Sequence, residues 1–225
     1  MPTTDLAELL GTSGPRLRWQ RPAVFFLAFL ASAVVSLAFQ WLQGLGRMQP
    51  DYLPRLFLAS GLRGLLLTAL AVAALRALPQ WPAAVVGVAL LYPVPGRALS
   101  WLSFRTMVSG GQPLPPTWIW EPTGLLLSGV WAASFLGGLG LALRLVRPLP
   151  LALFAGASLG ELVATGARVV AHALQGHPGL SPWSELRQLP ATLLAQAVFA
   201  GALWLGLLLT ASPGAEARES PPLRG

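Results

Sequence analysis

The chain contains no cysteine and no lysine, and only 10% of its residues are charged. The missing cysteine excludes disulfides, thiol catalysis and thiolate-bound metal. Soluble domains carry about 25% charged residues, so the low charge argues against a soluble fold. All 15 basic residues are arginine, and they are scattered between apolar runs rather than clustered. The net charge of +7 therefore indicates arginine beside membrane spans, and we expect no nucleic-acid partner.

Common catalytic motifs are also missing. The sequence has no HExxH zinc-protease motif and no Walker A motif. Glu161 as a general base and His172 as an acid would be separated by about 16 Å of helix axis, beyond hydrogen-bond reach. His172 has no second ligand at metal-binding spacing on its helix face. We therefore expect no metal and no cofactor, and a non-enzymatic function.

Long apolar runs dominate what is present, since 54% of the 225 residues are apolar. A membrane span needs about 20 such residues. The predicted fold class is all-α, a polytopic transmembrane helical bundle of about six spans in residues 22–212. A cytoplasmic N-terminal segment (1–21) precedes it and a disordered cytoplasmic tail (213–225) follows it. The predicted spans are 22–42, 56–75, 81–102, 124–143, 149–174 and 189–210.

Two short segments differ from the simple pattern of six straight spans. Pro93 and Pro95 interrupt the third span, and each removes a helical hydrogen bond. A kinked span and two half-helices both fit, and a failed span would leave five helices and move the C-terminus outside. Near the N-terminus, Asp5 and Glu8 resemble a capping box for a short interfacial helix.

Arginine in the short loops predicts the orientation. With both termini in the cytoplasm, the inner side has more arginines than the outer side, so we predict a multi-pass protein of the cell membrane. The inner set is Arg16, Arg18, Arg21, Arg76, Arg144, Arg147, Arg218 and Arg224, and the outer set is Arg47, Arg55, Arg97, Arg105 and Arg187. The longest outer loop, 103–122, contains Trp118 and Trp120. It is expected to lie on the outer leaflet, with a lid over a site as the alternative.

One polar stripe needs an explanation. In the fifth span, Glu161, Thr165, Arg168 and His172 follow spacings of four, three and four, which puts them within about 60° on the helix. Such a stripe faces protein or water. Glu161 lies near the depth of Arg63 in the second span, so we predict that the two form an ion pair. A role in packing alone is the alternative.

Further polar residues lie towards the outer surface. Arg97, Arg168 and His172 fall in the outer third, and they could line a net-positive vestibule with Gln196 on its wall. The interrupted third span fits such a cavity, because irregular backbone is tolerated where it lines one. The predicted ligand-binding residues are Arg63, Arg97, Glu161, Arg168 and His172. Alternatively, the outer three extend to the membrane interface.

Small residues form three further stripes: Ala28, Ser32 and Ser36; Gly129, Ala133 and Gly137; and the GxxxG pattern from Gly156 to Gly160. Small residues let helices approach closely. The stripes predict packing seams, either within the chain or against a partner membrane subunit or a second copy.

These features favour a transporter, or the membrane subunit of one, that binds a small polar or anionic solute from outside. In predicted helix count and orientation, the chain is similar to the substrate-binding subunits of energy-coupling-factor vitamin importers. The alternative is a non-catalytic membrane scaffold, anchor or assembly subunit. The expected partners are the lipid bilayer, the solute and, where the seams face outward, another subunit.

Overall fold

The computed structural model describes residues 5–14, 16–43, 52–78, 80–104, 116–175 and 188–210. These residues form helices and connecting turns, with no strand among them. The predicted tail 213–225 lies outside the described residues. The helices are α1 (Leu6–Leu9), α2 (Gln20–Gln43), α3 (Tyr52–Ala77), α4 (Trp81–Leu91), α5 (Pro93–Phe104), a 3-10 helix (Pro116–Trp120), α6 (Pro122–Leu145), α7 (Leu149–Gln175) and α8 (Leu189–Thr210).

Five of these helices are long and apolar enough to cross a membrane, and the bent pair of α4 and α5 makes a sixth, broken span if the two helices cross together. The outward side chains are apolar: Leu90, Leu145 and Leu209 are each more than 70% exposed. Water would penalise such a surface and lipid would not. The protein is therefore an integral membrane protein with a helical bundle, and the predicted fold class is confirmed.

The broken span bends by 44° between α4 and α5, as the two prolines predict. Pro93 has no N–H, so the Ala89 carbonyl four residues earlier loses its helical donor. Gly129 of α6 approaches this carbonyl so closely that a Cβ there would lie 2.9 Å from the oxygen. Pro93 is tolerated because it begins α5, where its N–H would have no helical partner. The break therefore lies against α6.

The spans pack as a closed ring in chain order. Each span contacts the next, and α8 returns to contact both α7 and α2. The tightest seam joins α6 and α7. A Cβ on Gly138 would lie 2.4 Å from the Gly156 carbonyl oxygen, and one on Gly160 would lie 2.6 Å from the Phe135 Cα. The GxxxG pattern is thus a packing seam within the chain.

The N-terminal helix α1 closes one end of the ring. Asp5 caps it by accepting a hydrogen bond from the Glu8 N–H at 2.8 Å. Leu6, Leu9 and Leu10 are fully buried, with Leu6 set among α3, α4 and α6. The leucines of α1, for which the sequence predicts a short interfacial helix, therefore find apolar partners between the spans.

The segment after α1 turns back on itself. Gly11 has a positive φ of 68°, a conformation that glycine adopts without strain. A Cβ at this position would also meet the Arg18 carbonyl oxygen at 3.0 Å. Arg21 then donates a hydrogen bond to the Glu8 carbonyl. These contacts hold α1 against the bundle at what we call the closed end.

Candidate functional site

A cavity of about 490 Å³ lies inside the ring at the end opposite α1. Every span contributes to its wall. The lining comes from the second half of α2, the first half of α3, the Tyr92–Ser100 region, the first half of α6, the second half of α7 and the start of α8. Because neighbouring spans run in opposite directions, these segments all lie at one end of the bundle. The described residues leave the cavity partly open.

Aromatic rings form the deep wall of the cavity. Phe29, Tyr92, Trp131 and Phe135 line it. Trp131 stacks on Phe135 with ring centroids 5.9 Å apart, and Tyr92 lies 5.5 Å from Trp131. Beyond them, the fully buried Phe199 continues the contact chain from Phe135 towards α1. This cluster separates the cavity from the closed end.

The structure brings four of the five predicted ligand-binding residues to this cavity. Arg63, Arg97, Glu161 and Arg168 all line it. The fifth, His172, is in α7, but its side chain lies outside the described residues. The lining therefore has three guanidinium groups and one carboxylate among its charged side chains. That excess of positive charge agrees with the predicted sign of the vestibule, and it suits an anion.

Arg97 is held in place by the segment before α6. Its Nη2 lies 3.3 Å from Glu121 Oε2, and its Nε donates to the Ile119 carbonyl at 3.0 Å. Gly124 makes room for this guanidinium, because a Cβ there would lie 1.5 Å from Arg97 Nη1. Arg97 is only 7% exposed, and it lines the cavity.

The outer loop is described only from residue 116 onward. The 3-10 helix (Pro116–Trp120) is anchored by Arg97, and none of its residues lines the cavity. Trp120 is 62% exposed. This part of the loop lies at the rim, so the described residues give no support to the lid alternative.

Glu161 does not pair with Arg63 within the described residues. Its Oε1 accepts a 2.6 Å hydrogen bond from Trp131 Nε1, and it interacts electrostatically with Arg168. Arg168 donates to the Thr165 hydroxyl at 2.8 Å. The predicted stripe on α7 is therefore a connected polar group. Within 4 Å, Trp131 of the neighbouring helix contacts the carboxylate and Arg63 does not.

Arg63 is the least neutralised of the three cations. Its Nη2 contacts the Ser60 hydroxyl at a long 3.4 Å, and it interacts electrostatically with the Tyr92 hydroxyl. Among the described residues, no carboxylate forms an ion pair with it. A cation on the wall of a membrane cavity is thus left for water or a ligand to neutralise.

Polar residues that the sequence did not single out complete the wall. Ser32, Ser100 and Ser128 each line the cavity and donate to a carbonyl of their own helix, at 2.8 to 3.0 Å. Their oxygens keep lone pairs for other donors. Gln196, predicted for this wall, is 7% exposed, and its Oε1 has no hydrogen-bond partner among the described residues.

No protein-family model matches the chain, and neither a curated protein nor a solved structure matches it. The site must therefore be interpreted from its own chemistry.

That chemistry can recognise a ligand. Three guanidinium groups offer donors to an anion, and the aromatic wall offers an apolar surface. Hydroxyl and amide oxygens add acceptors. Within the described residues, no three His, Asp or Glu side chains lie together as a metal site would require. A cavity of this volume falls in the range of small-molecule sites.

Proposed function

We propose that this protein is a membrane transporter, or the membrane subunit of one, that binds a small polar or anionic solute in the cavity. The observation that carries the proposal is Arg63, which lines the cavity without a carboxylate partner among the described residues. A charge within a membrane is costly and marks a solute pathway by default. An anionic solute would supply the missing negative charge.

The shape of the bundle supports loading from one side. The cavity is partly open at one end, while the aromatic cluster and the α1 leucines occupy the other. The exposed Arg76 and Arg144 lie at the closed end, and basic residues favour the cytoplasmic side. Both termini would then be cytoplasmic, and the solute would enter from outside the cell membrane.

The scaffold alternative has less support. It depends on small-residue seams that are free to receive a partner. Gly156 and Gly160 are instead occupied by α6, and Gly129 by the broken span. Ser32 and Ser36 line the cavity. The stripes that favoured a partner surface are therefore used within the chain.

The test is ligand-dependent stability of the purified protein in mild detergent. Benzoate, hexanoate and phenyl phosphate would be compared with benzamide and hexanamide as neutral counterparts. A ligand that binds only the folded state raises the melting temperature, Tm. We expect at least one anion to raise Tm while its neutral counterpart does not. Losing a charged hydrogen-bond partner costs about 1.5–3 kcal/mol, so Arg63→Gln should weaken binding by about tenfold or more.

The matched control is Arg76→Gln, which removes an exposed arginine at the other end of the same helix. It should respond to the anion as wild type does. Anions that fail to raise Tm, or that act equally on the Arg63 variant, would contradict the proposal. Uptake of the active compound into liposomes containing the protein would then distinguish a self-sufficient transporter from a binding subunit.

A further inference from the structure

The carboxylate of Glu161 faces the same cavity as Arg63 and is also incompletely satisfied. It accepts one hydrogen bond, from Trp131, although a carboxylate has about four lone-pair sites. Among the described residues, no ion pair neutralises it. A solute with only an anionic group would leave this carboxylate without a further donor.

Three serines and one glutamine of the wall also offer acceptors. Ser32, Ser100 and Ser128 use their hydroxyl protons on helix carbonyls, which leaves their oxygens to receive protons from the cavity. The buried Oε1 of Gln196 has no partner among the described residues. Unmet buried acceptors favour a ligand that carries N–H or O–H groups.

The aromatic composition of the deep wall indicates which kind of apolar group the ligand should carry. Trp131, Tyr92, Phe29 and Phe135 line the cavity as a packed aromatic cluster, and Trp131 contacts Glu161. Aromatic pairs gain stability from stacked and edge-to-face geometry beyond what burial alone supplies. A flat ring is therefore favoured over an aliphatic body of equal size.

From these observations we propose that the solute is an aromatic amphoteric molecule, with an anionic group that contacts Arg63 and an N–H donor that contacts Glu161. This proposal rests on the proposed function, because it assumes that the cavity binds an anion through Arg63. Arg63 and Glu161 do not contact one another, and one ligand would give Arg63 an anionic partner and Glu161 a hydrogen-bond donor.

A matched set of compounds tests the two features separately. Cyclohexanecarboxylate, benzoate and 4-aminobenzoate have the same anionic group, and they differ first in planarity and then in the amino donor. We expect benzoate to bind about three- to tenfold more tightly than cyclohexanecarboxylate. The amino group should add about tenfold more, because its acceptor is charged. Affinities would be measured by titration calorimetry on the purified protein.

The Glu161→Gln variant tests whether Glu161 is the residue that contacts the amino group of the ligand. The glutamine oxygen can still accept from Trp131, but its NH₂ then faces the cavity where a carboxylate oxygen was. The variant should bind benzoate at least as tightly as wild type, because a negative charge has left the wall, and it should lose the gain from the amino group. Glu8→Gln, at the closed end beside α1, is the charge-matched control and should keep that gain.

The outcomes are separable. If benzoate and cyclohexanecarboxylate bind equally and the amino group adds nothing, while Arg63→Gln still abolishes binding, the aromatic amphoteric ligand is wrong and anion binding stands. If none of the three binds, nor any anion of the broader series, the proposed function fails. An amino-group gain that survives in Glu161→Gln would also overturn the assignment. If that variant does not fold, competition between the compounds on wild type decides.

Discussion

The two ends of the bundle are built from the same spans, but their arginine side chains point in opposite directions. At the closed end, Arg76 and Arg144 point outward, and Arg144 lies over the Trp81 ring at 5.3 Å. At the cavity end, Arg63 and Arg97 turn into the ring. The closed end is filled by leucine and alanine, whereas the cavity end keeps a polar space of about 490 Å³.

This difference suggests that the closed end contributes mainly to stability and the cavity end mainly to ligand binding. A cation that points outward at a helix end is hydrated and favourably oriented to the helix dipole. A cation inside the ring is maintained at a cost, and such cost is characteristic of functional sites in membranes. We expect packing changes at the closed end to affect folding, and charge changes at the cavity end to affect binding.

The broadest expected effect, on both stability and the cavity wall, is at the boundary between the two ends. Gly160→Ala would bring a Cβ to 2.6 Å from the Phe135 Cα and the Ser134 carbonyl oxygen. Backbone atoms cannot move aside easily, so we expect a loss of about 2–3 kcal/mol and a disturbed cavity wall at Phe135. Gly166→Ala is the control on the same helix, because nothing lies within 4 Å of its Cβ position. Tm in detergent would be measured for both, and equal values would contradict the close seam.

A second effect distinguishes the closed end from the cavity. Leu9→Ala removes a side chain that is 0% exposed, and it should cost about 2–5 kcal/mol. The folded fraction should still bind the solute with wild-type affinity, since Leu9 does not line the cavity. Leu145→Ala, at a position 73% exposed, should change Tm little. If Leu9→Ala weakened binding without lowering Tm, the two ends would not be separate in function.

The smallest expected effect is the change in stability when a buried polar atom without a hydrogen-bond partner is removed from the bundle. Gln196→Met and Ser158→Ala each remove a buried polar atom that has no hydrogen-bond partner among the described residues. Relief of that desolvation should raise the stability of the unliganded protein by up to about 1 kcal/mol in each case. Only Gln196 lines the cavity, so only its substitution should alter solute affinity. A fall in Tm for both would mean that these atoms are hydrogen-bonded in the membrane, for instance through water.

Four of the charged residues that line the cavity could be predicted from the sequence, because they lie in otherwise apolar helices. Glu161, Arg63, Arg97 and Arg168 stood out because charges inside spans need a reason, and all four line the cavity. Trp131 and Tyr92 gave no such signal, since aromatic residues in a membrane helix are consistent with lipid contact or packing. The serines did not predict a cavity either, because a serine hydroxyl in a membrane helix can donate its proton to a carbonyl of its own helix.

The helices and the break at Pro93 could be predicted from the sequence alone, because length and apolar character in a bilayer allow few other backbone structures. Partner choice was decided by the tertiary structure. Glu161 bonds Trp131 rather than Arg63, and the α1 leucines enter the bundle rather than the interface. Depth along a helix can be counted from residue numbers, but which side chains meet depends on how each helix is rotated in the ring. That rotation is fixed by the close approach of α6 and α7 and by packing around the ring, which no single span encodes.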